Sequence, residues 1–573
     1  MRSTRRVFVV GAALTFGLAA CSLVIPDETC AVDADCAPEE LCAAEGFCVK
    51  SVQEVCSVDT DCAPEELCAD DGLCAEMVED LRCDTILGSQ DEGALRLGFI
   101  MTFSGSSASS GLEQREVVQM AVDEINAKGG IQGLQERELA FIACDDKGEN
   151  EYVVASTTYL SRLGVPAILG PGLSRLVKVA AQEVAIPQGT FLLSPSSTAE
   201  DIRDMDDDNL VWRVSSSDTE QAATLAHFAQ WLAVEPIHEG DPSTVVIVAV
   251  HPDDNYGDGF MNSFEQSLVA NAGNMQATNI EVQLEAVEHP GEFASEDWAA
   301  QVKTIVSDIK GHAPHLLVFV GYEDTADILA LVKTEDSLNK LPVLLTDGVA
   351  SGAVATAYQS AEELPDLVFG VQPGFRTGAA YAHFLDLYET TSVGGTLPPP
   401  TWSEYTYDGV YLLAYAAAAI PPEEMTGAAF AETFTRFNGP GNTYGVGPSR
   451  LIEACHDMGE GKSIDVRGAS GPLDFDLDTG EPETVGILRW KIDFPASSEL
   501  GEGKIDVCGL AVQHEGGSTS QTSYWCNALC EESPVPRDQK PACDDKGLCE
   551  QQTAICADAI CTDHDDCKPD LVP

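Results

Sequence analysis

Short, continuously apolar runs alternate with amphipathic stretches through the middle of the chain, from about residue 94 to residue 490. The runs Leu95–Ile100, Leu139–Ile142, Ala167–Leu169, Thr190–Leu193, Thr244–Val250, His315–Val320 and Pro342–Leu345 have the length of strands. They lack the apolar/polar alternation of a half-exposed sheet, so they predict strands covered on both faces, as in a parallel sheet. Between them, Val118, Val122 and Ile125 share one helical face up to Lys128-Gly129-Gly130, where glycine can adopt the left-handed conformation that ends a helix. Trp298, Val302, Ile305 and Ile309 repeat the pattern before the run at His315. These βα units are too many for one compact nucleotide-type domain. They predict an α/β fold of two doubly wound, Rossmann-like lobes.

The ends of the chain have a different texture. Residues 1–20 read as a secretory signal, with Arg2, Arg5 and Arg6 ahead of a fourteen-residue apolar run from Val7 to Ala20. That run is short for a bilayer span, and no other uninterrupted apolar stretch approaches ~20 residues, so the reading is an exported chain without a transmembrane segment. Leu18-Ala19-Ala20-Cys21 resembles the bacterial lipobox, in which the cysteine accepts the lipid, which makes Cys21 the candidate lipidation site. The alternative is a plain signal peptide with a chance cysteine. Ser22 after Cys21, in place of Asp, points to the outer membrane, so the expected location is the bacterial cell envelope, in the periplasm or at the surface.

Cysteines then recur with a strict C-x5-C-x5-C-x5-C spacing in residues 30–48 and again, 26 residues on, in residues 56–74. This is a true tandem repeat. Four cysteines in so short and polar a unit must act as covalent staples, because no hydrophobic core can form. A zinc site would want the tighter C-x2-4-C hairpin, and export favours disulfides. Residues 21–93 carry 20 acids and two bases, which predicts an extended, self-repelling stalk. The tail from residue 516 to 573 is again rich in cysteine, with Cys526, Cys530, Cys543, Cys549, Cys556, Cys561 and Cys567 among turn residues. Small disulfide-rich segments thus flank the two-lobe region, assigned to residues 94–515. Of 20 cysteines, lipidation of Cys21 leaves an odd number, so at least one is free or pairs outside the chain.

The charge balance narrows the partners. The 573 residues hold 31 Lys and Arg against 94 Asp and Glu, a net charge of −63. Nucleic acid and anionic lipid surfaces attract basic clusters that this chain lacks. Nor is there a G-x-S-x-G elbow, a P-loop, a G-x-G-x-x-G after a strand or an H-E-x-x-H pair among the ten His. An enzyme is therefore not expected, and neither a metal site nor a cofactor. Asp474-Phe-Asp476-Leu-Asp478-Thr-Gly480 departs from a calcium loop because its glycine falls one position late, and it reads as a hairpin.

Leu97-Gly-Phe-Ile-Met-Thr-Phe-Ser-Gly105 and Ala121-Val-Asp-Glu-Ile-Asn-Ala-Lys-Gly-Gly-Ile131 resemble the branched-chain amino-acid (Leu/Ile/Val) binding family, the solute receptors of ABC importers. Ala167-Ile-Leu-Gly-Pro-Gly172, Ser194-Pro-Ser-Ser-Thr198, Asn255-Tyr-Gly-Asp-Gly259, Val320-Gly-Tyr-Glu323 and Gly471-Pro-Leu-Asp-Phe-Asp476 follow in the family's order. The resemblance covers roughly residues 94–490. It implies the type I periplasmic binding protein fold, two lobes joined by three crossovers with the ligand in the cleft. Lobe I would take about 94–217 and 349–465, and lobe II about 218–348 and 466–515. It also implies a role for particular residues. Ser174 would contact a ligand carboxylate, the alternative being only an N-cap; Ser196 and Thr198 would contact carboxylate and ammonium, or form an ST-turn. Asp218, Tyr256, Tyr322 and Asp347 would close over the ligand from lobe II.

Two departures from the family pattern bear on the site. Arg175 follows Ser174 where relatives tend to carry small hydroxyl residues, so either the carboxylate subsite is altered or Arg175 points to solvent. Cys144 aligns with a cysteine whose partner in some relatives lies at the position of Leu173, which leaves Cys144 as the candidate odd thiol and Cys455 and Cys508 as a pair. The implied function is an extracytoplasmic solute-binding lipoprotein that captures an amino acid or similar small polar solute for ABC permease subunits, with its lipid as the only membrane contact. The alternative is an envelope interaction or sensory protein that keeps the fold without transport.

Overall fold

The computed structural model describes residues 40–42, 48–50, 62–68, 74–105, 108–234, 244–275, 281–291, 297–350, 354, 357–358, 368–376, 378–391, 401–493, 504–514 and 524–526. The signal segment, Cys21 and nearly all of the tail lie outside them. The chain forms two compact units, residues 1–80 and residues 81–573. In the first, each cysteine repeat carries a small antiparallel hairpin, Glu40–Cys42 with Cys48–Lys50 and Glu66–Cys68 with Cys74–Glu76. The register sets Cys42 opposite Cys48 and Cys68 opposite Cys74. Cys62 is disulfide-bonded, in keeping with covalent staples over a metal site.

The second unit holds two sheets. The first contains the parallel strands Leu95–Met101, Leu139–Asp145, Ala167–Leu169, Phe191–Ser194 and Val211–Arg213, arranged 2-1-3-4-5 by chain order, with Thr85–Gly88 antiparallel at one edge. In the second, Thr244–Pro252, Glu281–His289, Leu316–Phe319, Val343–Leu345 and Val368–Pro373 repeat the 2-1-3-4-5 order, and Thr484–Asp493, Lys504–His514 and Tyr524–Cys526 add antiparallel strands beyond the fifth. Central strands such as Leu139–Asp145 are buried along their whole length. Each sheet is covered on both faces, as the unbroken apolar runs require. Helices Ala108–Ala127 and Ser403–Ala418 pack on one side of the first sheet, and Asn150–Arg162 and Ser174–Ala180 on the other. Asp218–Val234 and Asn255–Met275 oppose Trp298–Gly311 and Thr325–Val332 across the second. The Asp474–Gly480 segment is a hairpin, with Phe475–Asp476 paired to Glu481–Pro482.

Three crossovers join the lobes: residues 214–217, 374–376 and 483, each lying between a strand and an element of the other lobe. The lobe boundaries differ from the sequence reading in two places. Val368–Pro373, assigned to lobe I within 349–465, lies parallel to Val343–Leu345 in the lobe II sheet. Conversely Val466, Leu473 and Phe475 pack in the lobe I core, and lobe II resumes at Thr484. A short apolar run says that a strand exists but not which of two similar sheets it joins.

The stalk is also shorter than the expected 21–93. Thr85–Gly88 is a strand of the first sheet, and Cys83 forms a disulfide with Cys144. Cys144 is therefore not the odd thiol. Nor does Cys455 pair with Cys508, since Cys455 is a free, buried thiol on helix Leu451–Gly459. The partner of Cys144 was hidden because Cys83 stands outside the repeat spacing, in a stretch whose acids resemble the stalk.

Candidate functional site

In a doubly wound sheet the loops leaving the first and third strands diverge to opposite faces and open a crevice at the strands' carboxyl ends. In lobe I that crevice lies between Met101-Thr102 and the loop Gly170–Ser174; in lobe II it lies between Asp254–Tyr256 and Val320–Glu323. The two crevices face each other and enclose one cavity of about 420 Å3, a size suited to a small ligand. Hydrogen bonds cross between the lobes beside it. Ser109 Oγ donates to Glu323 Oε1 at 2.5 Å, and Asn255 Nδ2 donates to Asp201 Oδ1 at 2.9 Å.

Six of the seven residues singled out from the sequence line this cavity: Ser174, Ser196 and Thr198 from lobe I, and Tyr256, Tyr322 and Asp347 from lobe II. Ser174 Oγ accepts from the backbone N–H groups of Thr198 and Ala199, both at 3.2 Å. It does not cap its own helix, whose N-cap is Leu173 without a side-chain bond. The serine thus fixes the Thr198 loop at the cavity wall. Ser196 Oγ donates to Gly172 O at 3.1 Å. A Cβ on Gly172 would stand 2.6 Å from Met101 Sδ and 3.0 Å from Ser196 Oγ, so a glycine keeps this wall close to the cavity.

Asp347 anchors the opposite wall. Its Oδ1 accepts from Tyr256 Oη at 2.9 Å and from Gln221 Nε2 at 2.8 Å, while its N–H donates to Gln221 Oε1 at 3.0 Å. Tyr322 Oη donates to Asp254 Oδ2 at 2.9 Å, and the Tyr256 and Tyr322 rings lie 5.2 Å apart. Asp218 does not line the cavity. It is buried behind Thr198 and Asp347, accepts from Gln221 Nε2 at 3.3 Å, and its Oδ2 has no hydrogen-bond partner among the described residues. Burial first, and then the neighbouring Asp347 charge, push the Asp218 carboxyl well above the usual range; burial also raises Asp347. Two carboxylates so placed do not both ionise readily without a cation.

Sequence reasoning missed several lining residues. Glu113 stands on helix Ala108–Ala127, and burial followed by the charge of Glu323 pushes its carboxyl up to about 7. Glu323 directly follows Tyr322 in a motif where only the tyrosine drew attention. Trp402 forms part of the wall in the left-handed region, at φ 80°, just before helix Ser403–Ala418. Arg175, the residue that cast doubt on the carboxylate subsite, does not line the cavity: its guanidinium donates to Asn150 Oδ1 at 3.1 Å and to Gly148 O. Asp253, Asp258 and Glu288 bring carboxylate oxygens within 4.8 Å of one another on the surface.

Residues 94–458 match the sequence profile described as Periplasmic binding protein. The chain belongs to this family. Among curated relatives, the Leu/Ile/Val-binding protein BraC3 of Rhizobium johnstonii is 27% identical over 236 residues, 41% of this chain and 57% of that protein. The Leu/Ile/Val-binding protein of Escherichia coli K12 is 24% identical over 174 residues, 30% of this chain and 44% of that one. The chain thus spans about half the length of the curated relatives it matches. Solved family folds superpose over more of it. The leucine binding protein LivK of Thermotoga maritima gives a TM-score of 0.54 at 16% identity, covering 73% of this chain and 98% of that chain. A solute binding protein of Rhodopseudomonas palustris in complex with 3,4-dihydroxybenzoic acid gives 0.51 at 14% identity, over 73% and 97%. At such identities the likeness is one of fold, the type I periplasmic binding protein fold. Members of this family are extracytoplasmic receptors for small solutes, and no described helix here is long and apolar enough to cross a membrane.

Proposed function

We propose that the chain is the extracytoplasmic solute receptor of an ABC importer and takes an amino acid or a closely related solute between its lobes. The observation that carries this reading is the shared cavity, with a hydroxyl-rich wall from lobe I facing a carboxylate and two tyrosines from lobe II. The hydroxyls of Ser174 and Thr198 receive the ligand carboxylate, Ser196 holds the Gly172 wall beside them, and Asp347, backed by Asp218, takes the ammonium. Tyr256 and Tyr322 supply an apolar wall whose hydroxyls are already held by Asp347 and Asp254. A zwitterion touching both walls stabilises the closed form by contacts the open form lacks, and that change of shape is what permease subunits read. Cys21 lipidation tethers the receptor to the envelope, and no cofactor takes part.

A thermal-shift screen of the full-length, oxidised protein against amino acids, amides and small carboxylates tests this. A true ligand at 100 times its Kd adds about 2.7 kcal/mol of stability, which reads as a clear rise in Tm. A flat response across all three classes would replace transport with the envelope interaction or sensory role.

A further inference from the structure

Residues that line the cavity from each lobe stand next in the chain to residues that join the lobes. Thr198 lines it from lobe I, and Glu200 and Asp201 follow in the short helical turn Glu200–Ile202. Tyr256 lines it from lobe II, and Asn255 precedes it as the first residue of helix Asn255–Met275. Asn255 Nδ2 donates to Asp201 Oδ1 at 2.9 Å across the cleft. Further along the same helix, Ser263 Oγ donates to Glu200 Oε1, which also accepts from Thr219 Oγ1 at 2.6 Å. None of Glu200, Asp201, Asn255 and Ser263 is among the lining residues.

Both sides of this seam are rigid. Ala199 and Ile202, which flank the two acids, are buried in the lobe I core, and Phe260 and Phe264 fix the helix in the lobe II core. Lys178 Nζ donates to Asp201 Oδ2 at 2.5 Å from within lobe I, which turns the other carboxylate oxygen toward Asn255. That ion pair is half-exposed and contributes little by itself. Its effect is to aim the carboxylate. An acid at the first residue of a helix also meets the positive end of the helix dipole, and a bond to a charged acceptor is stronger than one between neutral groups. Asn255 and Ser263 are eight residues apart in the helix, about 12 Å along its axis. An opening rotation moves the whole helix off both acids.

We infer that Glu200 and Asp201 form an interlobe latch, positioning residues outside the cavity lining that hold Tyr256 over the Thr198 wall and so set how tightly a bound solute is kept. This rests on the receptor reading above and deepens it. Apparent affinity scales with the fraction of the protein in the binding-competent form. Bonds made on closure raise that fraction for every solute alike, so the latch adds affinity and leaves discrimination to the cavity walls.

Calorimetric titration of the full-length, oxidised protein with an equimolar mixture of the standard L-amino acids, cysteine left out to spare the disulfides, tests it. Asp201→Ala and Asn255→Ala should each weaken the apparent affinity about tenfold, the size of one charge-assisted bond. The double variant should bind no more weakly than the weaker single one, because both changes remove the same bond. Ser263→Ala should act in the same direction. The melting temperature of ligand-free Asn255→Ala should stay at the wild-type value, which a merely structural role would lower. Unchanged affinity in all three single variants, or losses that add in the double variant, would overturn the latch and leave the receptor reading standing. An affinity loss matched by a fall in the ligand-free melting temperature would also overturn it. No binding by the wild type would overturn both readings.

Discussion

Glu481→Gln should lower the unfolding free energy by about 3–5 kcal/mol, the usual cost of removing one partner from a buried ion pair. Glu481 is buried and accepts from Arg213 at 2.6 Å and from Arg203 at 3.0 Å. Arg213, 1% exposed, also donates to Ala199 O at 2.8 Å and to Ser197 O at 3.3 Å, but no other carboxylate bonds to it among the described residues. The substitution therefore leaves a guanidinium charge in the interior. The location enlarges the effect: Arg213 closes the last lobe I strand before the first crossover, Glu481 precedes the third, and Arg203 also donates to Ser217 within the first at 2.6 Å.

The same group sets a pH dependence. Burial alone would raise the Glu481 pKa, but Arg213 and then Arg203 outweigh it and hold the carboxyl below its usual value. Its stabilisation is then complete above the unfolded-state pKa of about 4.3 and is lost as the pH falls through the lower folded value. Urea unfolding between pH 7 and pH 3 should give a wild-type stability that falls more steeply on acidification than that of Glu481→Gln. Parallel curves with a difference under about 1 kcal/mol, the range of an exposed pair, would contradict the assignment.

Asp347→Asn should weaken solute binding about 100-fold, or about 2.7 kcal/mol, in line with loss of a charge-assisted hydrogen bond to an ammonium. Stability should move the other way. Asn can still accept from Tyr256 and Gln221, and the substitution relieves the charge facing Asp218, whose carboxyl is raised by burial and by Asp347. A variant that binds poorly yet melts at or above the wild-type temperature identifies a residue kept for its ligand at a cost in stability. Because an incoming ammonium lets both carboxylates ionise, wild-type binding should release a proton, measurable as a binding enthalpy that changes with buffer ionisation heat; the variant should lose that release. Unchanged affinity in Asp347→Asn would remove this residue from the site.

Much of the architecture was legible because burial on both faces writes a simple pattern. All seven apolar runs named from the sequence lie in or overlap strands, and both helices read from their apolar spacing are present. The missed strands lack that pattern. Glu281–His289 is an edge strand with mixed exposure in which Glu281 and Glu288 are exposed, so it reads as a charged loop. Val368–Pro373 contains Gly370, which is required because a Cβ there would stand 2.1 Å from the Trp490 ring of the neighbouring strand, a contact no local rule foresees. Helix Ser403–Ala418 is buried all round even though it carries Glu404 and Asp408. Its acids are held by distant groups: Glu404 by Arg376 at 2.8 Å, and Asp408 by the N–H groups of Ala469 and Ser470.

The site followed the same logic. Ser174, Thr198, Tyr256 and Asp347 sit at strand ends or on loops entering helices, where motif order gives position. Glu113 lies within an amphipathic helix, where an acid normally faces water, and only the approach of the second lobe makes it part of a cavity. Trp402 depends on a left-handed backbone at a non-glycine residue, which sequence does not announce.

The most direct measurement is a crystal structure of the protein grown with its tightest-binding amino acid. The account predicts density for one molecule between the lobes, its carboxylate within hydrogen-bond distance of Ser174 or Thr198 and its ammonium on Asp347. Density for that molecule anywhere else, with the space between Thr198 and Asp347 holding only water, would contradict it.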